Sequence, residues 1–153
     1  MKLIELLGPG HILPQLSATG KKEVLAELVA ALGPELKGFT TDQVVEVLLE
    51  RERLGSTAIG DHIAIPHGKL PHLQGLKLVF GRSTVGVNFD SLDGKPSHLF
   101  FLLLAPANSA GLHLKALAKI SRMLMSAAFR ESLMQAPGAE EITRLLAAKD
   151  AET

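Results

Sequence analysis

The chain has 153 residues, with 16 Lys plus Arg balancing 16 Asp plus Glu, six His and no Cys. The missing cysteine excludes disulfides, thiolate metal sites and a cysteine nucleophile, and with nothing to suggest an oxidising compartment the expected location is the cytoplasm. A neutral balance argues against a nucleic-acid binder, whose phosphate contacts leave a basic footprint, and the length suits one domain spanning 1–153.

At the N-terminus, Glu5 interrupts the apolar stretch Leu3 to Leu7 and no A-x-A-like cleavage site follows, so no signal peptide is expected. After Gly8-Pro9-Gly10 and Pro14, the apolar residues Val24, Leu25, Leu28, Val29 and Leu32 recur at helical spacing until Gly33-Pro34. A second helix is predicted from Thr40, where Thr40-x-x-Gln43 has the form of a capping box, to about Arg53, with Gly55 just past its end. Ile59, Ile63, Ala64 and Ile65, then Leu76 to Val87, then Leu99 to Ala105 predict at least three strands. The last is apolar throughout and far too short to span a bilayer, so it reads as a strand buried on both faces and no membrane insertion is expected. Helical spacing returns from Ala110 through Leu124, in Phe129 to Met134 and in Ile142 to Leu146. Helices before and after a cluster of strands predict an α/β fold, a three-layer sandwich with a central mixed β-sheet flanked by helices. Met123, Met125 and Met134 are expected to fill its core.

The most informative segment runs from Arg51 to Leu70. Pro66 cannot donate to a sheet ladder and Gly68 permits backbone angles closed to other residues, so a strand is expected to end there with His67 displayed on the turn. A histidine so placed is available for reaction, or is simply a polar turn residue. His62, His67 and His72 recur every five residues, but side chains five apart on a strand face opposite ways, and no H-E-x-x-H is present, so no metal is expected. A nucleotide phosphate loop is absent, and Gly81-Arg82-Ser83-Thr84-Val85-Gly86 lacks the spacing of a serine nucleophile elbow. No cofactor is called for.

Glu52 with Leu54-Gly55-Ser56-Thr57, then Ile59-Gly60 and Ile63-Ala64-Ile65-Pro66-His67-Gly68-Lys69-Leu70, resembles the fructose/mannitol-type enzyme IIA domains of the bacterial phosphoenolpyruvate-dependent phosphotransferase system. The resemblance continues through Asp93-Gly94-Lys95-Pro96, Leu99 to Pro106 and Leu112-His113-Leu114, and leans towards the nitrogen-regulatory members. It implies a phosphocarrier in which His67 accepts a phosphoryl group from an HPr-like protein and passes it on, to a separate IIB protein in sugar uptake or to no acceptor when its phosphorylation state regulates a target. A protein-binding module without phosphotransfer is the alternative. The second histidine of the constellation falls on His113, expected near a helix start whose dipole disfavours an imidazolium. Arg51, sixteen residues before His67, matches a basic position of mannitol-type relatives, or decorates a helix end. Ser56 and Thr57 either donate to the same phosphoryl oxygens or serve the turn. Ile65, Leu70, Phe89 and Leu92 are expected to form a docking surface, or to belong to the core.

Overall fold

The computed structural model describes residues Met1–Thr153. Its centre is one mixed sheet of six strands: β1 (Ile12–Leu13), β2 (Ala58–Gly60), β3 (Ile63–Ala64), β4 (His67–Leu70), β5 (Lys77–Val87) and β6 (Ser97–Pro106). The order is β1-β5-β6-β3-β2, with β4 also on β6. The central β6 thus has β5 antiparallel on one side, and β3 followed by β4 parallel on the other.

Because side chains alternate along a strand, the uninterrupted apolar run of β6 feeds two separate cores. Phe100, Leu102 and Leu104 point into one, which is closed by α1 (Lys21–Ala30) and α2 (Thr41–Arg53). Leu99, Phe101, Leu103 and Ala105 point into the other, closed by α3 (Ala110–Met123), α4 (Ala127–Gln135) and α5 (Ala139–Glu152). This is the three-layer arrangement that the patterning predicts. None of the helices is long and apolar enough to cross a membrane.

Local sequence fixes the elements that frame the site. The capping box is present: the Thr40 hydroxyl accepts from the Gln43 N–H at 3.1 Å, and Gln43 Oε1 accepts from the Thr40 N–H at 2.9 Å. It satisfies two of the otherwise unpaired groups at the start of α2. On β5, Gly81 lets α1 approach closely, since a Cβ there would lie 2.8 Å from Leu28 and 3.0 Å from Leu16. Midway along β5, the buried Arg82 donates to the carbonyls of Leu133 and Ala136 and so collects the unpaired acceptors at the end of α4.

Two expectations need correction. The strand does not end at Pro66: pairing with β6 breaks at Ile65-Pro66 and resumes at His67, which opens β4 opposite Leu103. Pro66 lacks only a donor, and its carbonyl still accepts from the Leu103 N–H at 3.0 Å. Of the three methionines assigned to packing, Met123 is buried but Met125 is 76% exposed, just beyond the C-terminus of α3.

Candidate functional site

His67 owes its position to three facts of the local chain. Pro66 interrupts the ladder immediately before it, the β4–β6 pairing holds its backbone, and alternation turns its side chain towards α3 while Gly68 faces α2. A Cβ at residue 68 would lie 3.2 Å from a Val47 methyl, a tight contact that the glycine avoids where α2 packs on the histidine strand. Lys69, two residues on, shares the face of His67. Both line a cavity of about 620 Å³ between the ends of α2 and α3, with Arg51, Leu54, His113 and Leu114.

The two rings of this cavity meet edge to face, with centroids 5.4 Å apart and planes at 79°. His67 Nδ1 lies 2.7 Å from the Ile65 carbonyl, which can only accept, so Nδ1 carries the proton in the neutral ring and Nε2 carries the lone pair. His113, in the first turn of α3, is buried, and neither of its ring nitrogens has a partner. One of them must carry an N–H, so the cavity holds a buried donor with no acceptor in the chain.

Both imidazoles are pushed below the ordinary histidine range. For His67 the main cause is burial; the Ile65 hydrogen bond opposes it, the Arg51 charge adds to it and the Glu52 charge opposes it. For His113 burial again leads, followed by repulsion from His67 and from Lys69. The expected neutrality of His113 thus has burial as its leading cause. Since both folded values lie below the unfolded one, acid binds the unfolded chain more readily. Their contribution to stability is complete above the unfolded value of about 6.5 and is lost as pH falls through the folded values. Denaturant titrations between pH 7.5 and 5 should show stability falling on the acid side, with a shallower fall in His113→Gln.

Arg51, in the last turn of α2, reaches this cavity, and its Nη1 donates to the Gly55 carbonyl at 2.8 Å, which steadies the guanidinium at the rim. The structure thus brings His67, His113 and Arg51 together. It does not bring the hydroxyls of Ser56 and Thr57 to them. Ser56 Oγ donates to the Phe89 carbonyl at 2.7 Å and accepts from the Ala58 N–H at 3.1 Å. Thr57 is buried and both its hydroxyl and its N–H donate to Glu52, whose carboxylate is also paired with Lys21 at 3.1 Å. These groups clamp the loop behind the cavity, which is the turn reading of the pair.

Three of the four docking candidates take their other reading, membership of the core. Ile65, Leu70 and Phe89 are buried in the two cores, and Leu92, though exposed, does not line the cavity. The apolar groups that flank the histidines in solvent are Leu54, 85% exposed, and Leu114, 67% exposed. Sequence reasoning also passed over Lys69 as a site residue, although the alternation of a strand resuming at His67 would have found it.

A family model described as phosphoenolpyruvate-dependent sugar phosphotransferase system, EIIA 2, matches residues 5–149. The chain is 45% identical over 147 residues to a nitrogen regulatory protein of Bradyrhizobium diazoefficiens, covering 96% of this chain and 95% of that one. It is 36% identical over 146 residues to a fructose-specific EIIABC component of Bacillus subtilis, covering 95% of this chain but 23% of that protein. Among solved structures, nitrogen regulatory protein IIA-Ntr from Neisseria meningitidis superimposes with a TM-score of 0.88 at 37% identity, covering 94% of this chain and 98% of that one.

Proposed function

Because the chain belongs to the EIIA 2 family of the phosphoenolpyruvate-dependent sugar phosphotransferase system, we propose that residues 1–153 act as one phosphocarrier domain in which His67 receives a phosphoryl group from a phosphohistidine of an HPr-like protein. The observation that carries this reading is the half-buried His67, with Nδ1 tied to a carbonyl and Nε2 free, facing the buried unpartnered His113. A neutral imidazole is nucleophilic without a separate base. As the phosphorus–nitrogen bond to the donor breaks, one to His67 Nε2 forms, and the ring proton of His67 balances the one taken up by the departing donor imidazole. Such a transfer has a loose transition state that asks mainly for positioning and for charge stabilisation. His113 supplies an N–H to the phosphoryl oxygens, and Arg51 supplies a guanidinium suited to two oxygens at once. Lys69 adds a second cation, and Leu54 and Leu114 form the apolar rim against which the donor seats.

A regulatory role, in which phosphorylation state governs binding to a target protein, is favoured by the 45% identity to a nitrogen regulatory protein over nearly its whole length. Sugar transport through a separate IIB protein is the second reading, favoured by the fructose-specific relative. Incubation with phosphoenolpyruvate, enzyme I and an HPr-type donor should add one phosphoryl group to the intact mass. Failure to add it under conditions that charge a known IIA protein overturns the phosphocarrier reading in favour of a binding module. Onward transfer to a IIB cysteine would establish the transport role.

A further inference from the structure

On the side of the molecule away from His67, a second pair of imidazoles meets at a cavity that shares no residue with the first. His62 and His98 have ring centroids 5.3 Å apart with planes at 70°. They line a space of about 440 Å³ together with Asp61, Arg130, Glu131 and Gln135. His98 lies five residues before Leu103, the partner of His67, which places the two pairs on the order of 16 Å apart along β6. The five-residue spacing of His62, His67 and His72 is therefore not the relevant pattern. The fold pairs His62 with a histidine 36 positions away.

The protons of this pair are fixed by the backbone. His62 Nδ1 lies 2.8 Å from the Pro96 carbonyl, and His98 Nδ1 lies 2.8 Å from the Ser83 carbonyl. Carbonyls only accept, so both Nδ1 atoms carry hydrogen and, in the neutral rings, both Nε2 atoms carry lone pairs. Neither Nε2 has a hydrogen-bond partner in the chain; His62 is exposed, and His98 Nε2, though not sealed from solvent, lies beside Gly86, where a Cβ would come within 3.1 Å of it. An N–H held by a backbone carbonyl with the opposite nitrogen open is the arrangement that orients metal-binding histidines.

The spacing agrees with that chemistry. Two imidazoles bound through nitrogen at 2.0–2.1 Å to one tetrahedral ion have centroids about 5 Å apart. Asp61 and Glu131 contribute negative charge to the cavity, while Arg130 Nη1 is engaged with the carbonyls of Leu124 and Met125. No third His, Asp or Glu is close enough to complete a preformed set of three ligands, so water must fill the remaining positions.

Local backbone adds a separate reason to look at His62. Gly60 pairs with Ile63, so Asp61-His62 is a two-residue hairpin loop, and both residues are left-handed, with φ of 53° and 64°. That turn favours glycine at its second position. The chain instead holds a histidine there, one of the side chains that tolerates this conformation, with its ring beside His98.

We propose that His62 and His98 form a binding site for a borderline transition-metal ion such as Zn²⁺, with two imidazole Nε2 ligands and water. The His67–His113 pair could also take up zinc, so the test is made in a His67→Ala background. There, zinc titrated into metal-free protein against a chromophoric chelator should bind at one equivalent. Adding His62→Gly should weaken binding at least 10-fold while leaving the melting temperature unchanged or raised, because glycine suits the turn. His98→Gln should weaken it likewise; if that variant does not fold, His62→Gly alone decides. In nitrogen-detected NMR of the His67→Ala protein, zinc should shift Nε2 of His62 and His98. Absence of binding in His67→Ala, or binding that survives His62→Gly undiminished, overturns the proposal. Neither outcome touches the phosphocarrier reading, which is measured by phosphoryl uptake and should be the same in wild type and in His62→Gly.

Discussion

His67→Ala is expected to abolish phosphoryl uptake: after incubation with phosphoenolpyruvate, enzyme I and an HPr-type donor, the intact mass should stay at that of the unmodified chain. The substitution removes the only atom proposed to form the new phosphorus–nitrogen bond. It leaves the surroundings intact, because His67 is half-buried and its one hydrogen bond is to the neighbouring Ile65 carbonyl. His113→Ala should behave differently. It keeps the nucleophile and removes a donor aimed at developing charge, a loss worth about 10²–10³-fold in rate, so slow labelling should persist. Labelling of His67→Ala at the wild-type rate would place the acceptor elsewhere in the chain, whereas equal and complete loss in both variants would make the two rings an inseparable unit.

The largest expected loss of stability lies outside the cavity. Lys119 of α3 and Asp150 of α5 are both buried and form an ion pair at 2.7 Å. Asp150 also accepts from the Ile4 N–H at 2.9 Å, and Lys119 donates to the Met1 carbonyl, so the pair fastens the N-terminal segment to two helices. Burial alone would push the Asp150 carboxyl up. Hydrogen bonds from Lys119, Ile4 and Leu3, with the Lys119 charge, outweigh it and hold the group below the usual carboxylate range. Asp150→Ala strands the ammonium of Lys119 and should cost roughly 3–5 kcal/mol, or on the order of 10 °C in melting temperature. Lys119→Met combined with Asp150→Leu should recover most of that loss, because an apolar pair of similar volume leaves no charge unpaired. The pH dependence has a definite sign. A depressed carboxyl contributes fully above its unfolded value of about 3.9 and loses that contribution as pH falls through the folded value, so Asp150→Ala should flatten the acid limb below pH 4.

What was legible in the sequence follows from how far each signal extends. Helices α1 to α5 repeat their apolar residues at helical spacing, over little more than one turn in α4 and α5, and β6 is an unbroken apolar run, so all of these were readable. Strand β1 is two residues long and carries no period; it exists because Ile12 and Leu13 pair with Phe80 and Gly81, partners nearly 70 positions away. The break at Pro66 was readable, but the resumption at His67 was not, since it depends on the register with Leu103. Nothing in the spacing of residues 51, 67 and 113 announces that they meet. Their convergence was legible only through resemblance to the family, and it failed for Ser56 and Thr57 because a hydroxyl beside a glycine turn serves a loop equally well. The choice between docking and core was open for the same kind of reason: Ile65 and Leu70 look available beside a histidine, and it is alternation along the paired strand that sends them into opposite cores.

The unanswered N–H of His113 has one further consequence on the proposed reading. No group of the chain competes for that N–H, so it is in place before a phosphoryl oxygen arrives. Preorganisation of this kind lets the oxyanion be met without turning the ring away from another partner first.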